Sequence, residues 1–233
     1  MASAMEADRA IASDVAALAD LRVAQGWART EALLRALVTW EHGCILVLRE
    51  RETSGGSPSS ALPVAAVSAI AAPPIGVIGN VIVREDFRRQ GLSRIVMSAA
   101  LDWLRLHGAP IVLLDATPDG RPVYERLGFV PVTRSWASWT PISALDMAAL
   151  DRLSGHQIAQ LATAEALPRV VTLDAAAFGG DRAGLLEVML REPEHQLILA
   201  TDAHDAVTGY AIARELDGGR QGLRVGPWVA REP

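Results

Sequence analysis

Between Gly55 and Val83 the chain carries no charged side chain. A run of that length must be buried, and length alone permits a membrane span as well as a protein core. Pro73-Pro74 interrupts its middle, Gly55, Gly56, Ser57, Pro58, Ser59 and Ser60 open it, and β-branched residues dominate its second half. That pattern reads as two buried strands joined by a turn, not as a transmembrane helix.

The rest of the chain is organised around this run. Val15, Leu18 and Leu21 recur at helical spacing within 13–27, and Thr30 stands as the N-cap of a second helix buried through Leu33, Leu34, Leu37 and Val38. Cys44 to Leu48, Val64 to Ala71 and Gly76 to Val83 read as three strands of an antiparallel meander. Leu92, Ile95, Val96, Ala99, Trp103 and Leu106 then define an amphipathic helix stopped by Gly108 and Pro110. Ile111 to Leu114 is a continuous apolar run, as expected of a parallel strand covered on both faces. A short helix from Pro122 to Leu127 ends at Gly128, and Phe129 to Thr133 reads as a further strand.

Composition shifts after Pro141. A helix-rich segment from Ile142 to Leu161 leads to Val170–Val171, a helical pattern around Leu185, Leu186 and Met189, and strands over Gln196–Ala200, Val207–Arg214 and Gly222–Ala230. The second segment repeats the opening order of the first and stops where the first continues into its long helix, a weak internal duplication. The expectation is a mixed α/β fold with two domains, 1–141 and 142–233.

Half of the 233 residues are apolar and 21% are charged, which excludes wholesale disorder. The net charge of −5 disfavours nucleic acid and anionic lipid as partners of the surface as a whole. One cysteine, Cys44, excludes an intramolecular disulfide, a cysteine-rich zinc site and an iron–sulfur cluster, and fits a cytoplasmic protein. Met1 to Asp20 has acids and no continuous apolar run, so it reads as neither a secretory signal nor a transit peptide. The five histidines, at 42, 107, 156, 195 and 204, lack ligand spacing, so no metal is expected. His42 and Cys44 have no third group to orient them as a nucleophilic pair. All 22 basic residues are arginine, which leaves no lysine for Schiff-base chemistry. The six tryptophans are expected mostly in the core, with Trp136 and Trp139 as alternative lining of a pocket.

The stretch that carries chemistry is Val81-Ile82-Val83-Arg84-Glu85-Asp86-Phe87-Arg88-Arg89-Gln90-Gly91-Leu92-Ser93-Arg94, a strand entering a helix through an arginine-and-glycine turn. A helix start leaves backbone N–H groups unpaired and carries partial positive charge. Gly91 lets the backbone approach an anion, Ser93 is small, and Arg88, Arg89 and Arg94 add permanent charge, so the turn suits a phosphate. No lysine follows the glycine as in a Walker loop, and no glycine pair makes a dinucleotide fingerprint. Taken alone, the turn also reads as a solvated arginine-rich helix start. Thirty residues on, at the end of the parallel strand, come Asp115-Ala116-Thr117-Pro118-Asp119-Gly120 and then Tyr124-Glu125-Arg126-Leu127-Gly128-Phe129. Open α/β sheets place their ligands at such strand ends.

On these residues the chain resembles the GNAT acetyltransferase superfamily. Arg88-Arg89-Gln90-Gly91-Leu92-Ser93 is similar to its Arg/Gln-x-x-Gly-x-Gly/Ala pyrophosphate motif, with Ser93 where Gly or Ala is usual. Tyr124 to Phe129 is similar to its second landmark, in which a tyrosine on a short helix precedes Gly-Phe. The family's common asparagine in the loop before that landmark is replaced by Thr117-Pro118-Asp119-Gly120. The resemblance implies acetyl-CoA as co-substrate, held by the turn from Arg88 to Arg94 and by backbone N–H groups of Val81, Ile82 and Val83. It implies Tyr124 as proton donor to the leaving sulfur, since a phenol of pKa about 10 can protonate a thiolate whose acid lies near about 8.5. Asp115, Glu41 and His42 are the candidate bases, with water as the alternative. Gly209 to Arg214 and Gly226 to Ala230 resemble strands of a second, shortened domain of the same kind, without a pyrophosphate turn. The implied activity is N-acetyl transfer to a small-molecule amine or peptide in a ternary complex, and a homodimer is compatible with it. The alternatives are an inactive coenzyme-binding regulatory module of the same fold, and a structural domain whose turn binds nothing.

Overall fold

A computed structural model describes residues 6–50, 61–134, 158–192, 195–215 and 223–231. The chain divides into two compact units, the first mainly Met1–Gly128 and the second mainly Phe129–Phe178 and Arg182–Glu215. The boundary expected at Pro141 lies outside the described residues.

The first unit runs β1 (Asp8–Arg9), α1 (Val15–Ala24), α2 (Glu31–Thr39), β2 (Gly43–Arg49), β3 (Pro63–Ala72), β4 (Ile75–Val83), α3 (Leu92–Leu106), β5 (Ile111–Leu114) and α4 (Arg121–Glu125). Its sheet has the order β1-β2-β3-β4-β5, antiparallel up to β4 and parallel between β4 and β5. The charge-free run therefore supplies the two central strands, turning at Pro73–Pro74. Helices α1 and α2 bring Val15, Leu18, Leu21, Leu34 and Leu37 over Ile45, Val47, Ala66 and Ile82 on one face. Helix α3 covers the other face with Val96, Met97, Ala100 and Leu104. It lies so close to β4 that a Cβ at Gly76 would sit 2.8 Å from Leu104 Cδ2. Each such fully buried leucine stabilises the fold by about 1.5–3 kcal/mol.

The second unit runs β6 (Ile158–Ala162), α5 (Pro168–Phe178), α6 (Ala183–Leu190), β7 (His195–Thr201), β8 (Val207–Glu215) and β9 (Leu223–Ala230), in an antiparallel sheet of order β6-β7-β8-β9. Strand, two helices and three strands repeat the opening of the first unit, so the duplication holds at the level of topology. Val170, Leu186, Leu197, Leu199 and Ile212 form its core. At its centre Asp174, 1% exposed, accepts bonds from Arg182 Nε at 2.8 Å and Nη2 at 2.7 Å and from the Tyr210 hydroxyl. Burial, and then the bond to Asp174, push the Tyr210 phenol well above its ordinary value.

Several expectations fail for identifiable reasons. Phe129–Thr133 forms no strand. Pro131 lacks the N–H that a ladder needs, and Val130 and Val132 stand exposed. Strand β5 thus has no partner beyond β4 among the described residues, and with Ile111 at 55% exposure only one of its faces is covered. Ile158–Ala162, expected at the end of a helix, pairs with β7 as a strand, because a short apolar run has no periodicity of its own and its partner decides. The preceding 142–157 lie outside the described residues. Thr30 occupies the N-cap of α2, but its side chain makes no cap bond, and its buried Oγ1 has no hydrogen-bond partner among the described residues. The four described tryptophans avoid the deep core, against expectation: Trp27 and Trp228 are exposed, Trp40 and Trp103 half-buried. Trp136 and Trp139 lie outside the described residues.

One buried ion pair joins the start of α1 to β2. Arg49 grips both Asp14 oxygens at 2.7 Å, the two side chains being 8% and 7% exposed, and Asp14 Oδ2 also accepts from the Ile11 amide at 2.8 Å. Burial raises the Asp14 carboxyl, but the Arg49 fork, the Ile11 amide and the charge of Arg49 together hold it below the ordinary carboxylate value. Its contribution to stability is therefore complete above the unfolded-state pKa of about 4 and is lost as pH falls through the depressed folded value. We predict that Asp14→Ala, which leaves Arg49 buried and unpaired, lowers unfolding free energy in urea by about 3–5 kcal/mol. Asp14→Asn should flatten the loss of stability below pH about 4 relative to the unaltered chain.

Candidate active site

The turn between β4 and α3 is shaped by two left-handed residues, Arg89 at φ 63° and Gly91 at φ 78°. An arginine in that region is strained, whereas glycine accepts it freely. Gly91 is the N-cap of α3, and no side chain caps this end. The first amides of a fifteen-residue helix therefore face outward with the positive end of its dipole. They open on a pocket of about 730 Å³ lined by Val83, Phe87, Arg88, Arg89, Gly91, Leu92, Ser93, Arg94, Val123, Arg126 and Leu127.

The charge of this pocket is uncompensated. Arg84 is spent on Asp86 and Glu50, and its guanidinium lies 4.4 Å from the centre of the Phe87 ring. Among the described residues Arg88 donates only to neutral groups, the Gln25 side chain at 2.8 Å and the Val83 carbonyl at 3.3 Å. Arg89, Arg94 and Arg126 have no acidic partner among the described residues. Four guanidinium groups beside an uncapped helix start suit a ligand with several phosphate charges, and their residue types fit a coenzyme bearing a diphosphate.

Strand β4 outruns its neighbour. Its parallel pairing with β5 covers only Ile75 to Ile78, and β5 ends at Leu114. Gly79 to Val83 extend past it with no strand on that side among the described residues, leaving main-chain groups to bind something else. Asp115 follows directly, exposed at the end of β5. Tyr124 sits half-buried on α4, its ring against Gly120, where an added Cβ would meet Cε2 at 3.0 Å. Burial raises its phenol above the ordinary value.

Of the residues expected in the site, Val83, Arg88, Arg89, Gly91, Leu92, Ser93 and Arg94 come together in the pocket lining. Val81 and Ile82 belong to the end of β4 that outruns β5, where Ile82 stays paired with Ala66 of β3 and turns its N–H to that strand, and the Gln90 side chain turns back to the Asp86 carbonyl at 3.4 Å. Tyr124 and Asp115 lie outside the lining. Glu41 and His42 form an exposed pair at 3.5 Å before β2, with His42 edge-on to Trp40. Cys44 is buried and its thiol is pushed up to about 12 by burial, which leaves it inert. Phe87, Val123, Arg126 and Leu127 were not expected. A signal existed for the last three, which recur at i, i+3 and i+4 across α4 and the turn that follows it.

A mixed sheet with helices on both faces, a strand that outruns its parallel neighbour, and an arginine-lined pocket at a helix start define the class. Residues 13–129 match the acetyltransferase (GNAT) family, and residues 170–233 match an acetyltransferase (GNAT) domain. The chain belongs to the GNAT acetyltransferase family, as a tandem whose second domain is the shorter. The family is one of acyltransferases that use acetyl-CoA. Over 157 residues the chain is 29% identical to the uncharacterized N-acetyltransferase YitH of Bacillus subtilis (strain 168), covering 66% of this chain and 50% of that one. The chain thus spans half the length of this relative. Among solved structures, a candidate acetyltransferase from Pyrococcus horikoshii is similar with TM-score 0.65 and 17% identity, over 98% of this chain and 72% of its own. The GCN5-related N-acetyltransferase from Kribbella flavida gives TM-score 0.58 and 17% identity, over 98% and 59%. These two likenesses show the fold alone.

The conformation at Gly91 is separable from any binding role, because a Cβ there would meet nothing within 4 Å. We predict that Gly91→Ala lowers stability by about 1–2 kcal/mol from backbone conformation alone. Urea denaturation of the variant checks this; an unchanged midpoint would show that the turn does not require the left-handed residue.

Proposed function

We propose that the chain is an acetyl-CoA-dependent N-acetyltransferase that transfers the acetyl group to a primary amine by direct attack in a ternary complex. The observation that carries this reading is the set of arginines with no acidic partner among the described residues at the uncapped start of α3, beside the end of β4 that outruns β5. Arg88, Arg89, Arg94 and Arg126, with the amides of Gln90, Gly91, Leu92 and Ser93, hold the phosphates. Main-chain N–H groups of Val81 and Val83, on the side of β4 away from β3, hold the pantetheine arm and polarise the acyl oxygen, as hydrogen-bond donors aimed at developing charge.

The bound thioester supplies an acyl carbon whose C–S bond breaks as the amine's C–N bond forms. The Tyr124 hydroxyl gives its proton to the departing sulfur. Asp115, or water in contact with it, takes the proton released by the amine nitrogen. Because burial raises the Tyr124 pKa, the phenol stays protonated over pH about 7–9 and is available as an acid throughout. Residues 1–141 carry this site. Residues 142–233, whose described part contains no counterpart of the arginine turn or of α3, do not bind the coenzyme by themselves. The acceptor is a small-molecule amine or a peptide, and a homodimer is compatible with the reading. Among the described residues, no helix is long and apolar enough to cross a membrane and no cluster of side chains could hold a metal ion.

Calorimetry with CoA should show saturable binding that is lost in Gly91→Val; no heat at millimolar CoA would overturn the reading. Thiol release with acetyl-CoA and a panel of amines tests turnover, and binding without release from any amine would favour an inactive coenzyme-binding module. We predict that Tyr124→Phe lowers kcat about 100-fold, uniformly over pH 7–9, with CoA affinity unchanged. A wild-type rate in that variant would remove Tyr124 from the mechanism.

A further inference from the structure

Strand β4 contains an irregularity that the site depends on. Ser68 pairs with Gly79 and Ala66 with Ile82, so Asn80 and Val81 stand together opposite Val67. This is a β-bulge, and Asn80 adopts the left-handed conformation at φ 49°. An extra residue reverses which side chains face which side of a strand. Before the bulge, Gly76 faces Leu104 of α3; after it, Ile82 faces the core beneath α1 and α2. Val83 consequently lies on the α3 side, where it lines the arginine pocket. Without the bulge Ile82 would point to the α3 side, and Val83 would leave the pocket.

The bulge is clamped by buried side chains. Asn80 Nδ2 donates to Ser68 Oγ at 2.8 Å, and Ser68 on β3 is only 3% exposed. From the other side, Arg22 of α1, 8% exposed, donates through Nη1 to Asn80 Oδ1. The same guanidinium donates through Nε to the Ala28 carbonyl at 3.1 Å and lies 5.6 Å from the centre of the Trp27 ring. It is thereby fixed to the α1–α2 connection. That connection also supplies Gln25, which receives Arg88 of the pocket. One loop therefore meets both the bulge and the phosphate turn.

We propose that Arg22 and Asn80 are positioning residues for acyl transfer: by clamping the bulge they set the register and direction of Val81–Val83, the edge that receives the pantetheine arm. This rests on the acetyltransferase reading and extends it to a buried arginine outside the pocket lining. Neither residue contacts the phosphate pocket, so loss of the clamp should misplace the thioester while leaving the diphosphate grip intact.

The test compares Arg22→Met, Asn80→Gly and Asn80→Asp with the unaltered chain. Asn80→Gly keeps the left-handed backbone without strain, so it is expected to fold even where Arg22→Met does not. In both clamp-breaking variants kcat with acetyl-CoA should fall about 10- to 100-fold, as for a small misplacement of reacting groups, while calorimetric Kd for CoA changes less than about threefold. Asn80→Asp, which still accepts from Arg22, should recover most of the rate. Amide hydrogen exchange gives a readout independent of turnover: protection should drop over Gly79–Val83 and persist over Ile75–Ile78. Unchanged exchange and kcat in Asn80→Gly would overturn the proposal. A chain that shows the exchange change but binds no CoA would sink the acetyltransferase reading and leave the clamp standing.

Discussion

Strand β4 has to serve two partners that diverge. Its first half is held between β3 and β5, and its second half keeps β3 while β5 has ended. Main-chain donors and acceptors cannot be left unsatisfied without cost, so a strand can shed a neighbour only where water or a ligand takes its place. The bulge at Asn80–Val81 lets β4 turn at that point without losing β3. Helix α3, the arginine turn and the pocket all follow from where β4 is aimed after it.

Arginine does two kinds of work in a chain that has no lysine. Arg49, 8% exposed, and Arg182, 17% exposed, hold Asp14 and Asp174 in bidentate geometry, and each ties a helical segment to its sheet or to the next helix. Such pairs resist disruption because removing one partner strands a buried charge. Arg88, Arg89, Arg94 and Arg126 have no carboxylate within reach among the described residues. Repulsion among them raises the energy of the empty pocket, and a polyanion relieves it. Pairing and burial separate Arg49 and Arg182 from the arginines of the pocket, and neither is visible in residue type.

Much of the architecture was legible because it rests on periodicity. Helix α3 spans Leu92–Leu106 as its apolar spacing indicates, and Ile111–Leu114 is a strand parallel to β4. The arginine-and-glycine turn before α3 was legible through Gly91 and the arginines around it, whose features are local. The misreadings arose where long-range pairing decides. Ile158–Ala162 became a strand because β7 lay beside it, and Phe129–Thr133 did not because Pro131 cannot join a ladder. Arg22 and Asn80 escaped notice because they are 58 residues apart and neither stands in a motif.

The amino-acid order alone determined the placement of apolar strands and amphipathic helices, the family resemblance, and the position of an anion-suited turn, since each depends on neighbours within a few turns of chain. Only the tertiary structure decided which face of β4 each residue presents, which arginines lack a carboxylate, and that a guanidinium on α1 pins the bulge. Those features depend on groups brought together across long stretches of chain, where distance and burial, not residue type, set the interaction.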